Sequence, residues 1–153
     1  MRLIASITAA LLTVTLAAPA SAEIRHEHLI NDRKGIEPSL YVGKWYSPRH
    51  DDFRRCIMRR ESRGNYRAAN PRSSARGAYQ FLDSQWRDGL VWMMLKEEKR
   101  TGGDRRREIR RLFDKPIHRW NRYYQDRAFW TAFRHGDGAH HWHYPGSPCN
   151  RLA

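Results

Sequence analysis

Cysteine is scarce in this chain, acidic residues are outnumbered, and long apolar runs are absent after the first twenty residues. Each shortage excludes something. Two cysteines, Cys56 and Cys149, allow at most one disulfide. The single apolar stretch, Leu3 to Leu16, is shorter than the ~20 residues a membrane-spanning helix needs, and it is rich in Ala and Thr. No cysteine stands near its end, which gives no support to a lipid-anchored form. Strand-type alternation is weak throughout and no internal repeat or low-complexity segment is present. The reading is therefore a mostly helical single domain, too short for two cores.

What is present begins with Met1-Arg2, the apolar stretch, Pro19, and then Ala20-Ser21-Ala22. A basic start, an apolar middle and a small-x-small end are the parts of a secretory signal peptide, with cleavage expected after Ala22. An uncleaved anchor is the alternative. Export makes the even cysteine count read as one bond between Cys56 and Cys149, against the alternative of two free thiols. Lys and Arg number 29 against 16 Asp and Glu, a formal charge of +13. Cleavage would remove only Arg2, leaving +12. An excess of that size speaks to partners. Nucleic acid is one polyanion, but an exported protein meets little of it and no recognition motif is present. Anionic cell-wall polymers fit the compartment better, and part of the arginine is expected to be plain solvated helix face.

Residues 23–44 are polar, carry Pro38, and lack a sustained period, so they read as an extended lead-in, with Trp45 and Tyr46 docking onto the domain that follows. Phe53, Cys56, Ile57, Arg60 and Glu61 fall at helical spacing, which predicts one helix face holding the apolar residues and Glu61 together. Gly64 and Asn65 are helix-ending types, so Glu61 falls in the last turn, at the edge of whatever the next loop encloses. A carboxyl desolvated against apolar neighbours holds its proton and can serve as a general acid. The competing expectation is an ordinary surface glutamate paired with Arg60 or Arg63.

Downstream, Asn70, Pro71, Ser73 and Ser74 mark a loop. Gly77-Ala78-Tyr79-Gln80-Phe81 is a short extended segment in which Gly77 permits close backbone approach, Tyr79 and Phe81 offer apolar faces, and Gln80 can donate to and accept from sugar groups. Core packing is the other use for the two rings. Asp83 or Ser84 caps a helix with Trp86, Leu90, Met93 and Met94 on one stripe, broken at Thr101-Gly102-Gly103. A short basic helix over Asp104 to Phe113 follows, and Ile117, Trp120, Tyr124, Ala128 and Thr131 outline one more helix, ending before Gly136. His135, His140, His141 and His143 cluster late, without the helical i, i+4 spacing of a zinc site. No metal or other cofactor is expected.

The run Cys56-Ile57-x-x-x-Glu61-Ser62-x-Gly64-Asn65-Tyr66, then Gly77-Ala78-Tyr79-Gln80-Phe81 with Trp86 five residues on, resembles the transglycosylase-like domain of resuscitation-promoting factors and related secreted cell-wall lysins. Gln125-Asp126-Arg127-Ala128, the glycines at 136 and 138, Trp142 and Cys149 extend the likeness, which spans about Trp45 to Cys149. The resemblance implies a lysozyme-like domain over residues 45–153. It implies Glu61 as catalytic acid, and a glycan cleft lined by Gly77, Tyr79, Gln80 and Phe81, with Asn65 and Tyr66 beside it. The implied partner is the peptidoglycan glycan strand, outside the cell, with no nucleic acid and no membrane after cleavage. The implied reaction is scission of the β-1,4 bond between N-acetylmuramic acid and N-acetylglucosamine. A non-catalytic wall-binding module of the same fold is the alternative. Two departures stand out: Arg63 replaces a glycine found in many relatives, and residues 67–76 lack their Thr-Gly-Asn-Gly segment. Asp83, Asp51 and Asp52 are the nearest second carboxylates in sequence, and none is evident as a partner acid.

Overall fold

The computed structural model describes residues 31–135 and 138–153. The expected leader, the first part of the lead-in and two residues of the glycine region lie outside them.

Helix α1, Asp51–Ser62, carries Asp51 and Asp52 in its first turn and Arg59 and Arg60 in its last, charges placed to favour the helix dipole at both ends. Phe53, Arg54, Ile57 and Met58 form its buried face. That face is rotated from the predicted one: Arg60 is exposed and Cys56 only half-buried, while Arg54 is fully buried. The rotation follows from charge pairing, because the Arg54 guanidinium has Asp51 at 2.6 Å and Asp126 at 3.7 Å inside the domain. A buried guanidinium so surrounded is tolerable where an unpaired one would not be.

The helix ends one residue earlier than glycine alone would dictate. Arg63 already has φ 54° and ψ 36°, in the left-handed region, and Gly64 follows at φ 74°. Their N–H groups return to Arg59 and Met58 carbonyls at 3.0 and 3.3 Å, satisfying the last turn. A side chain at such a position costs roughly 1–2 kcal/mol in backbone strain. Arg63→Gly is therefore expected to raise stability by about 0.5–1 kcal/mol, part of the relief being offset by the freer unfolded chain. A urea unfolding midpoint that falls instead would contradict it.

Asn65 and Asn70 close small turns by accepting Arg67 and Arg72 N–H groups at 2.8 and 2.9 Å. Strands β1, Ala75–Arg76, and β2, Phe81–Leu82, pair antiparallel, Ala75 opposite Leu82 and Arg76 opposite Phe81. Residues Gly77 to Gln80 make the connection.

Helix α2, Asp83–Thr101, buries Leu90, Val91, Met94 and Leu95 and stops at left-handed Gly102. Asp83 does not cap it. Its Oδ1 accepts the Ile117 N–H at 2.7 Å and its Oδ2 lies 3.4 Å from Arg87, so the carboxylate ties α2 to a later turn. Helix α3, Arg106–Arg110, and a 3₁₀ turn at Ile117–Arg119 lead to helix α4, Arg122–His135. Ala128, Phe129 and Trp130 of α4 are fully buried, and Phe129 lies 4.8 Å from the Tyr79 ring and 4.6 Å from Trp142. The helices and the small hairpin thus share one core.

Cys56 and Cys149 are joined, pinning α1 to the C-terminal 3₁₀ turn Pro148–Leu152. The bond spans 93 residues of chain, a loop whose closure in the unfolded state is worth roughly 4–5 kcal/mol in the chain-entropy description. Residues 31–44 lie against the domain through specific bonds: Asp32 N–H to Gly64 O at 2.7 Å, Leu40 N–H to Asp126 at 3.0 Å, and Pro38 O to Arg122 at 2.7 Å. Tyr41 is buried, and Tyr46 meets Trp130 edge-on at 5.2 Å.

Candidate functional site

Glu61 sits in the last turn of α1, with its side chain about a quarter exposed at 27 %. Its Oε1 accepts from Arg60 Nε at 3.0 Å and Nη2 at 2.6 Å. Arg60 is itself held from the other side, donating to Ser147 Oγ and the Trp142 carbonyl, both at 2.8 Å. The predicted apolar desolvation of this carboxylate is thus replaced by a charge-assisted pair with its neighbour. That pair matches the competing expectation, with Arg60 as the partner.

Glu61 opens onto a shallow cleft of about 590 Å³, bounded by Arg63, the 68–72 loop and Gln80. Among the described residues it is the one carboxylate in that lining, alongside Arg60, Arg63 and Arg72. Gln80 reaches the cleft because its backbone is left-handed, φ 51°, and its Nε2 is braced on Gly77 O at 2.9 Å. A non-glycine residue in that region is strained, a feature concentrated at functional positions.

The other proposed contacts fall elsewhere. Tyr66, Tyr79 and Phe81 are buried to 2 % exposure or less, so their rings have no face for a ligand. Polar partners inside the domain explain this. The Tyr79 hydroxyl donates to Asp126 Oδ1 at 2.5 Å and accepts from Arg54 at 3.0 Å, and the Tyr66 hydroxyl donates to the same oxygen at 2.8 Å. Phe81 packs against Trp142 at 5.4 Å and beneath His141 at 5.6 Å. Gly77 is also internal: a Cβ there would fall 2.4 Å from Gln125 Oε1, the atom that accepts the Ala78 N–H. Its lack of a side chain serves α4, not a sugar. Asn65 faces a different, neighbouring groove. Of the six expected substrate contacts, Gln80 alone shares the Glu61 cleft.

The second-acid candidates are all engaged. Asp51 is buried with Arg54 and Arg55, Asp52 pairs with Arg55, and Asp83 holds Ile117. None lines the Glu61 cleft. Among the described residues no three His, Cys, Asp or Glu side chains converge as metal ligands, and His141 lies against Trp86 at 4.4 Å.

Sequence reasoning missed a buried polar hub in the core. Asp126, fully buried, gathers Tyr66, Tyr79 and the Leu40 N–H, with Arg54 and Arg122 each at 3.7 Å. Arg127 similarly meets Glu97 at 3.0 Å and Glu98 at 2.8 Å. A trace was present in Arg122 and Asp126, opposite charges one turn apart with Tyr123, Tyr124 and Gln125 between them. Burial pushes the Tyr79 and Tyr66 hydroxyls above the ordinary phenol range; the Asp126 charge adds to this and nearby arginine opposes it. In the unfolded chain both ionise near their ordinary ~10. The folded state holds these protons longer, so its stability is undiminished below about pH 10 and falls as pH rises past it. Urea midpoints taken from about pH 8 to about pH 11 should show that decline, and Tyr79→Phe should lessen it.

No family model, curated protein or solved structure matches this chain.

Proposed function

We propose that this protein is an exported, lysozyme-like enzyme that cleaves the β-1,4 bond between N-acetylmuramic acid and N-acetylglucosamine, with Glu61 as its acid. The observation that carries the reading is a cleft with a single carboxylate at a helix end, next to a strained glutamine. A lone carboxylate favours the lytic transglycosylase outcome over hydrolysis, which ordinarily uses two. Glu61 gives its proton to the departing glucosamine O4 as the C1–O4 bond breaks. The muramic C6 hydroxyl then bonds to C1 and returns its proton to Glu61, closing the cycle without water and leaving a 1,6-anhydro end. Arg60 has Ser147 and the Trp142 carbonyl to hold it when a sugar takes its place at Glu61.

The Arg60–Glu61 pair also favours a second reading, a lysozyme-like module that attaches to the wall without turnover. Mass spectrometry of soluble muropeptides after incubation with purified peptidoglycan separates the two. Anhydro products support the transglycosylase, hydrolysed ends would identify a muramidase, and co-sedimentation with no soluble product would identify the module.

A further inference from the structure

We propose that the groove along the outer face of α1 binds a linear phosphodiester polyanion, contacted by Arg33, Arg59 and Arg63. The groove encloses about 1150 Å³, and the Cys56–Cys149 bond lies in its wall. Five arginines line it against one acid, Asp52. Two of the five are already committed: Arg55 to Asp51 and Asp52, and Arg60 to Glu61, Ser147 and Trp142. Among the described residues Arg33, Arg59 and Arg63 enter no ion pair.

The fold brings these three cations together from two segments. Asp32 N–H bonds to Gly64 O at 2.7 Å and Asn31 bridges to Asn65, which sets Arg33 beside the end of α1. Gly64 and Gly35 permit that closeness: a Cβ on the first would fall 2.0 Å from Asp32 O, and one on the second 2.4 Å from Arg59 Cδ. Like charges gathered in a concavity repel one another and focus a positive potential that a bound anion would neutralise.

Ligand class follows from shape. Arg59 lies in the last turn of α1, Arg63 at its left-handed end and Arg33 on the lead-in, a spread of separate charges that suits a repeating anion better than one compact one. A phosphodiester presents oxygens toward both walls at once, whereas a carboxylate presents both of its oxygens along one edge. Among the described residues no aromatic lines the groove, so they offer no platform for stacking nucleic-acid bases. Arg60, Ser62 and Arg63 border both this groove and the Glu61 cleft, making them neighbours. The inference stands independently of whether Glu61 turns anything over.

The test is titration of the purified, disulfide-intact protein with poly(glycerol phosphate), alongside poly-L-glutamate and single-stranded DNA, over a salt series. The double variant Arg59→Gln/Arg63→Gln should bind poly(glycerol phosphate) about tenfold more weakly, with a shallower salt dependence and unchanged thermal unfolding. Arg106→Gln/Arg110→Gln on α3 removes the same charge from another exposed face and should weaken binding less than about threefold. Equal losses from the two pairs would overturn the proposal by showing general electrostatics alone. Poly-L-glutamate binding as tightly, or DNA binding more than about tenfold tighter, would overturn the ligand class.

Discussion

Asp126→Asn is expected to destabilise the protein by about 3–5 kcal/mol, enough to leave much of it unfolded at moderate temperature. The amide keeps the size of the carboxylate but removes the charge between Arg54 and Arg122, both of which are fully enclosed. Two guanidiniums would then share the interior with Asp51 and the half-buried Glu37 as their remaining acids. The amide must also turn an N–H₂ toward one of the donors that Asp126 now accepts from, the Tyr66 and Tyr79 hydroxyls or the Leu40 N–H. Those donors come from the lead-in, the loop after α1 and the hairpin, so one substitution would loosen three segments. Asp88→Asn on α2, where the carboxylate is 67 % exposed, is the matched control and should change stability by less than about 0.5 kcal/mol. Thermal and urea unfolding by circular dichroism measure both. A loss under about 1 kcal/mol for Asp126→Asn would show that Asp51 and Glu37 suffice to neutralise the two arginines.

This hub also marks where the sequence stops being readable. The helices follow from local rules: apolar spacing on Leu90 and Met94 fixes α2, Gly102 stops it, and Tyr124, Ala128 and Thr131 trace α4. The Cys56–Cys149 bond agrees with the pairing expected from an even cysteine count. Arg54 could not be placed that way, because periodicity assigns charged residues outward, and its burial depends on distant groups, Tyr79 and Asp126, as well as on Asp51 one turn before it. Tyr79 and Phe81 carry the same ambiguity in sharper form. An aromatic in a short segment suits a sugar face or a core equally, and the hydroxyl's partners on α4 decide for the core. Residues 31–44 showed no period because single hydrogen bonds to distant groups hold them, with no repeating face to give a pattern. What survives at the cleft is the helix-end position of Glu61, set by local geometry, and Gln80, set by a strained turn.

Glu61→Gln is expected to lower release of soluble muropeptides by about 10²–10⁴-fold, the range removed with a positioned general acid. The substitution preserves size and can still accept a hydrogen bond from Arg60 through its amide oxygen, so the cleft keeps its shape. Stability should move by less than about 1 kcal/mol, because the Arg60–Glu61 pair is partly solvated. Separate behaviour of activity and stability is what distinguishes a reacting group from a surface ion pair. Arg60→Gln sharpens the comparison: it removes the ion pair and keeps the carboxylate, so muropeptide release should persist in this variant where Glu61→Gln loses it. Full activity in folded Glu61→Gln would remove the only acid that the described residues place in the cleft from the chemistry, and with it the glycosidase reading.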